Sequence, residues 1–224
     1  MDGVASPLPV TAIIVNYNTP ELTERAVNSF RRHYTNVHLL LVDNGSSDKC
    51  LEALRRLRRN NPYHTELVTH RSNLHHGPAM DLALRSLQNP FLLFLDSDCE
   101  VLRGGFIERM IDELNGAPLN YAIGKKIFLD KRGFDVDDES RGVPYIRPLC
   151  MMIKRKIYFL FPPFNRHGSP CLANMTGAVQ QGYQLLNFPV EDYVHHEGRG
   201  TAGTHGYQLG FAGKWNHLLH KLGL

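Results

Sequence analysis

The chain contains few cysteines, and none lies close to another. Its 224 residues include only four, Cys50, Cys99, Cys150 and Cys171, which lack the paired spacing of a zinc site. This excludes a small domain held together by disulfides, because such domains are rich in closely spaced cysteines. We therefore expect free thiols in a reducing compartment.

The sequence also lacks a long apolar run and a strong excess of charge. No run approaches the roughly 20 apolar residues that span a bilayer, and residues 1–9 have no basic segment followed by an apolar one, as a signal peptide would. A formal net charge of +3 is too small to indicate nucleic-acid binding. We expect a cytoplasmic protein with no nucleic-acid partner; contact with the inner face of the membrane remains an alternative.

Short apolar segments alternate with amphipathic ones in the first half of the chain. With 42% hydrophobic and 21% charged residues, the composition is that of a globular domain. This alternation with short connections predicts an α/β fold with a Rossmann-like, mainly parallel sheet and helices on both faces. The predicted strands are 10–15, 37–42, 65–69 and 91–95, and the helices between them are 20–32, 48–59 and 75–87.

The second half is less regular in pattern. It predicts helices at 106–114 and 171–181, strands at 121–129 and 145–152, and a polar loop at 130–144. An amphipathic segment at 211–222 predicts a last helix, which would pack on the domain, in a homodimer, or against a membrane surface.

The segment from Phe91 to Leu95 is followed directly by Asp96, Ser97 and Asp98. A short run this apolar predicts a strand buried on both faces, and open α/β sheets bind ligands beyond the carboxyl ends of such strands. Two carboxylates one residue apart suit Mg²⁺ or Mn²⁺ and a metal-bound phosphate. The alternative is an Asp-rich turn that only ends the strand.

Two further polar clusters end predicted strands, at 16–18 and 43–46. In a parallel sheet these ends share one edge, so the three clusters converge on one crevice. Asp43 would accept a hydrogen bond from a nucleotide base, Tyr17 would form a wall beside the base, and the carboxylates after the fourth strand would hold a metal. A set of strand-to-helix turns without ligand is the competing interpretation.

The order of these clusters resembles that of the family 2 glycosyltransferases of the GT-A fold. The resemblance covers about the first 110 residues and is carried by Ile13 to Asn18, Val42 to Asp48, Asn73 with Gly77-Pro78-Ala79, and Phe94 to Asp98. It implies transfer of a sugar from a nucleotide diphosphate sugar, of UDP, GDP or dTDP type, to a polysaccharide, glycolipid or small-molecule acceptor. The whole chain, 1–224, would be one GT-A domain, with residues 1–115 binding the donor and 116–224 shaping the acceptor site.

The resemblance also implies roles for individual residues. The donor would be bound by Val15, Asn16, Tyr17, Asp43, Asn73, Gly77, Asp96 and Arg199. Mn²⁺ or Mg²⁺ would be held by Asp96, Asp98 and His196. His195 is the alternative to His196, because neighbouring residues of a strand face opposite ways and only one would reach the metal. Arg199 would contact the diphosphate as a bidentate donor.

One departure from the family pattern concerns the catalytic base. Inverting members carry a Glu-Asp pair roughly a dozen residues before a Gly-Tyr, but here the same count back from Gly182 reaches Pro170 and Cys171. His167 and Asp192 are therefore the candidate bases, with Glu191 beside them. A retaining mechanism would need none. A catalytically inactive nucleotide-sugar or carbohydrate-binding module, and a sugar-phosphate nucleotidyltransferase, are the alternative functions.

Overall fold

The computed structural model describes residues 8–165 and 168–198. The helix predicted at 211–222 therefore lies outside the described residues, as do His167 and Arg199. Within the described part, every helix is too short or too polar to cross a membrane.

A seven-stranded sheet forms the centre of the described chain, in the order β3-β2-β1-β4-β7-β6-β8. The first four strands of this order are parallel to each other, β7 is antiparallel to both of its neighbours, and β8 is parallel to β6. The strands are β1 Val10–Asn16, β2 His38–Asp43, β3 Thr65–Thr69, β4 Phe91–Leu95, β6 Asn120–Leu129, β7 Val143–Lys154 and β8 Gln184–Asn187. The fold class predicted from the sequence is confirmed.

Helices cover both faces of the sheet. They are α1 Pro20–His33, α2 Asp48–Asn60, α3 His76–Ser86, α4 Phe106–Asn115, α5 Arg155–Tyr158 and α6 Leu172–Gln180. Alternate residues of each strand point to opposite faces, so Ile14 packs with α1, α2 and α4 while Ile13 packs with α3, α5 and α6. The central strands β1 and β4 are mostly apolar because both of their faces are buried.

A second, two-stranded sheet was not predicted. It consists of β5 (Cys99–Val101) and β9 (Val194–His196), which pair antiparallel. We call this pair the β5–β9 ribbon. Each of its strands has only three residues, which is too short for a periodic hydrophobic pattern to be recognised.

The polar segment predicted as a loop at 130–144 forms the tip of the hairpin between β6 and β7 over residues 130–142, and its last two residues begin β7. Asp130 accepts hydrogen bonds from the backbone N–H groups of Arg132 and Phe134, at 2.8 and 3.0 Å. Asp135 forms an ion pair with Arg147 of β7, and a 3₁₀ turn follows at Glu139–Arg141. The tip is therefore organised by its own turns rather than by the core.

Candidate functional site

The carboxyl ends of three parallel strands bring the predicted polar clusters to one edge of the sheet. Asn16 and Asp43 are partners in the β1–β2 register, and Asp96 follows the end of β4, which lies on the other side of β1. The structure therefore brings together the predicted residues of the first half, as the parallel arrangement requires.

Asn16 is the centre of a buried hydrogen-bond network. Its side-chain Nδ2 donates to Asp43 Oδ1 at 3.2 Å and to Ser46 Oγ at 3.0 Å. Its Oδ1 accepts from the hydroxyls of Thr19 and Thr23, at 3.2 and 2.9 Å. Because both ends of the amide are already bonded, Asn16 positions its neighbours rather than presenting a free group to a ligand.

Asp43 is almost fully buried, with only 1% of its surface exposed. Its second carboxylate oxygen accepts from the backbone N–H of Ser46 at 3.2 Å. Tyr17 and Val15 lie beside it at the end of β1 and are partly buried. The carboxylate is thus fixed in orientation, as a group that recognises one edge of a base must be.

The loop between β3 and α3 is bound to the same edge through Asn44. The Asn44 side chain donates to Asn73 Oδ1 at 3.1 Å and accepts from the backbone N–H of Leu74 at 3.1 Å. Gly45 has a φ of +77°, and a Cβ at this position would lie 2.3 Å from the carbonyl carbon of Ser72. Only glycine permits this approach of the two loops, which brings Asn73 close to the end of β2.

The β5–β9 ribbon brings His196 to the Asp96-Ser97-Asp98 segment. Cys99 and His196 are direct partners in its register, and His196 Nε2 lies 3.2 Å from Asp98 Oδ1. His195 pairs instead with Glu100. Since adjacent strand residues face opposite ways, the ribbon directs His196 towards Asp98 and His195 away from it.

His76 is a further residue of this site. Its Nε2 lies 3.7 Å from Asp96 Oδ1 at the start of α3. The preceding residue, His75, has a φ of +67°, which is unusual for a residue with a side chain. Two adjacent histidines at a helix start were the available signal, but only the fold shows that one of them reaches Asp96.

The charges in this cluster influence one another. Burial raises the pKa of Asp96, with a further contribution from Asp98, whereas His76 and His196 lower it. The hydrogen bond to Asp98 raises the pKa of His196. Two carboxylates that share a partly buried site repel each other, and a bound cation would lower this repulsion.

Asp98 and His196 fit a divalent cation. Mg²⁺ binds its ligands at about 2.0–2.1 Å in octahedral geometry, so adjacent ligands lie about 3 Å apart. The 3.2 Å between Asp98 Oδ1 and His196 Nε2 matches such an edge. The Asp98 carboxylate is the type of donor that suits Mg²⁺ and Mn²⁺, and the His196 imidazole is a donor typical of transition-metal sites.

Two ion pairs join the ribbon to α1. Arg25 binds Glu197 through both guanidinium nitrogens, at 2.6 and 2.9 Å. Arg32 contacts Glu100 at 3.2 Å. The backbone N–H of Glu197 also donates to the carbonyl of Asp98 at 3.1 Å. These contacts fix the segment that carries His196.

Two of the candidate bases, Asp192 and Glu191, lie outside this cluster. Asp192 lies beyond the opposite end of the ribbon, 3.8 Å from Arg103, and Glu191 is paired with Lys125. This geometry does not favour either as the base, and their roles stay predictions. Cys171 is fully buried, and burial raises the pKa of its thiol.

The fold and this edge of the sheet define a class: an α/β protein of the GT-A type, with a polar crevice at the ends of its parallel strands. The family model "Glycosyl transferase family 2" matches residues 11–167. The chain belongs to this family.

Solved structures of glycosyltransferases share the fold. A mannosyltransferase from Pyrobaculum calidifontis, in complex with GDP-Man and Mn²⁺, superposes with a TM-score of 0.65 at 19% identity, covering 81% of this chain and 55% of that one. TarS 1–349 of S. aureus, in complex with UDP-GlcNAc, gives 0.60 at 18% identity, covering 88% and 61%. The chain thus spans less than two thirds of the length of these structures. No curated protein sequence matches it.

Proposed function

We propose that this protein transfers a glycosyl group from a nucleotide diphosphate sugar in a metal-dependent reaction. The observation that carries the proposal is the meeting of Asp98 and His196 at 3.2 Å, beside Asp96 and next to the strand ends that present Asp43. Family membership favours transfer over nucleotidyl chemistry. Two structures of the same fold bind GDP-Man with Mn²⁺ and UDP-GlcNAc.

Each residue has a distinct task in this proposal. Asp43 accepts the N–H of the base while Tyr17 covers its face, and Asp96 faces the ribose or the cation. Asp98 and His196 hold Mn²⁺ or Mg²⁺, which would neutralise the charge that develops on the departing diphosphate. Arg199 is proposed to contact the diphosphate. The acceptor, a carbohydrate or a lipid-linked sugar, would approach from the side of the second half.

A second candidate function is a nucleotide-sugar-binding module without transferase activity. It is favoured by Cys171, whose buried thiol stands where a carboxylate base is expected and cannot take a proton at neutral pH. If the protein is an enzyme, His167, Asp192 or Glu191 acts as the base, or the mechanism retains configuration and needs no such base.

A screen of UDP-, GDP- and dTDP-sugars with Mn²⁺ or Mg²⁺ tests both functions. We expect one donor to raise the melting temperature, since a ligand that binds only the native state stabilises it. The same donor should release its nucleoside diphosphate when acceptors are added. A thermal shift without release under any condition would favour the binding module, and neither effect from any donor would refute both functions.

A further inference from the structure

The thiol of Cys99 lies among the side chains of the proposed metal site. Asp98, Cys99 and His196 each offer one ligand atom, and all three atoms lie within 4.8 Å of one another. Cys99 pairs directly with His196 across the ribbon and follows Asp98 in the chain. Sugar transfer with Mg²⁺ or Mn²⁺ has no need for this sulfur, because these ions prefer oxygen ligands.

A sulfur ligand changes which metals a site prefers. Thiolate and imidazole together select Zn²⁺ and similar soft ions such as Cd²⁺ over Mg²⁺ and Mn²⁺. One cysteine, one histidine and one carboxylate leave the fourth tetrahedral position to water. The three side chains therefore supply three of the four ligands of a tetrahedral site for a soft ion.

The distances allow such a set after a small adjustment. With Zn–S of about 2.3 Å and Zn–N of about 2.0–2.1 Å, sulfur and nitrogen ligands of a tetrahedral site lie about 3.6 Å apart. His196 is already 3.2 Å from Asp98. Since no pair of the three atoms exceeds 4.8 Å, closing the set moves any atom by only about 1 Å, within the range of side-chain rotation.

The Cys99 side chain is almost fully buried, with 2% of its surface exposed. Burial raises the pKa of its thiol well above the usual range, and its Sγ donates to the carbonyl of Leu149 at 3.3 Å. Cys99 and Asp98 line a small surface cleft together with Leu22, Arg25 and Glu197. On binding, the S–H bond breaks, a sulfur–metal bond forms, and the proton passes to solvent.

We propose that Asp98, Cys99 and His196 bind one thiophilic divalent cation, Zn²⁺ or Cd²⁺, at a place that overlaps the Mg²⁺ or Mn²⁺ site. A soft ion held there would occupy two ligands of the transferase metal and block donor binding. Only this blocking effect rests on the proposed function; the binding itself does not.

Titration of the full chain with Cd²⁺ tests the binding without any activity assay. We expect one equivalent to produce a sulfur-to-cadmium charge-transfer band in the ultraviolet. Cys99→Ser, which keeps a hydrogen-bond donor towards Leu149, should remove the band, and His196→Ala should weaken Cd²⁺ binding at least about tenfold. The matched controls Cys50→Ser and His195→Ala should leave the band unchanged.

Two results would overturn the site: no band in the native protein, or a band of native intensity in Cys99→Ser. X-ray absorption of the native, Zn²⁺-loaded protein gives an answer even where a variant does not fold. We expect one sulfur at about 2.3 Å, and a shell of nitrogen and oxygen alone would refute the proposal.

The blocking effect is measured separately. Zn²⁺ should suppress the thermal shift given by Mn²⁺ with the nucleoside diphosphate in the native protein, and at least about tenfold more Zn²⁺ should be needed in Cys99→Ser. Equal sensitivity would refute the overlap. If the cadmium band is found but no nucleotide binds, the soft-metal site stands and the proposed function fails.

Discussion

The two sides of the crevice are constructed differently. The nucleotide side is the part of the crevice that is proposed to bind the nucleotide, at the ends of β1 and β2. There Asn16, Asp43 and Asn44 are at most 2% exposed, and hydrogen bonds within the protein hold their side chains. The metal side is the part that is proposed to hold the cation. There Asp98, just before the β5–β9 ribbon of three residue pairs, contacts His196 of β9, whose side chain is about one third exposed. The first side is held by buried hydrogen bonds, whereas the second combines the buried side chains of Cys99, Val101 and Val194 with exposed ion pairs to α1.

This difference suggests how the two sides divide the work. Buried, fully bonded amides hold the Asp43 carboxylate, which is proposed to recognise the base, in one orientation, and this favours selectivity. Partly exposed ligands on a short ribbon can adjust to an incoming cation, which costs less when their own contacts are weak. We expect perturbations of the nucleotide side to cost folding stability and those of the metal side to cost mainly metal-linked binding.

The largest stability loss is expected for Gly45→Ala. The new Cβ would meet the Ser72 carbonyl carbon at 2.3 Å in a backbone with a φ of +77°. Backbone strain and overlap together should lower the free energy of unfolding by about 3 kcal/mol or more. Urea denaturation measures this loss. A change below about 1 kcal/mol would mean that the two loops are not packed as described.

Gly182→Ala is the matched control for this clash. Gly182 also has a positive φ, +84°, but a Cβ there would meet nothing within 4 Å. Gly182→Ala should lower the free energy of unfolding only by the cost of the left-handed backbone, about 1–2 kcal/mol. The difference between the two variants isolates the contact that fixes the β3–α3 loop on the nucleotide side.

Asp98→Ala should cost metal-linked stabilisation rather than folding. At a ligand concentration 100 times the Kd, binding stabilises a protein by about 2.7 kcal/mol. We expect the variant to lose the thermal shift produced by Mn²⁺ with the nucleoside diphosphate, because a direct ligand is gone. Asp192→Ala, beyond the far end of the ribbon, is the control and should keep the shift. An unchanged shift in Asp98→Ala would remove Asp98 from the metal site.

The convergence of the polar clusters was predictable because its information is local. Strands β1, β2 and β4 are apolar runs that end in polar clusters, and parallel pairing alone brings such ends together. The buried strand before Asp96 and the cluster around Asp43 were thus recognisable from short segments. Only the orientation of Asn16, towards its neighbours rather than a ligand, needed the structure.

The metal side was harder to predict because it depends on contacts between distant parts of the chain. The choice of His196 over His195 came from the family resemblance, and the pairing of Cys99 with His196 accounts for it physically. Three-residue strands leave no periodic signal. The contact of His76 with Asp96 likewise arises only when α3 is placed over the sheet, which no local pattern encodes.

A smaller effect is expected when the ribbon is loosened from α1. Arg25 and Glu197 form a bidentate pair, but their side chains are 55% and 38% exposed. Glu197→Gln should therefore lower the free energy of unfolding by less than about 1 kcal/mol, while Mn²⁺ binds more weakly because the segment carrying His196 is less fixed. Calorimetric titration of Mn²⁺ measures this change in affinity.

The control Glu52→Gln breaks a pair on α2 and should leave Mn²⁺ affinity unchanged. An equal loss of affinity in both variants would contradict the role of Glu197.

The smallest effect concerns pH and arises at His38, the first residue of β2, at the end of the strand opposite to the crevice. Burial lowers the pKa of His38, opposed by Glu66 and assisted by Arg31 and His64. Between the lowered pKa and the ordinary value of about 6.5, the unfolded chain binds more protons than the folded one, so stability falls as the pH falls through this range. The His38 side chain is 35% exposed, so the loss should stay below about 1 kcal/mol.

Urea denaturation at pH 7.5 and pH 5.5 tests this with two variants that should change the slope in opposite directions. His38→Gln removes the titrating group and should flatten the decline. Glu66→Gln removes the carboxylate that lies 3.8 Å from His38 and raises its pKa, so the decline should become steeper. The two substitutions change the contribution of the same titrating group in opposite directions. Identical declines in the native protein and both variants would therefore show that the loss of stability between pH 7.5 and pH 5.5 comes from other groups.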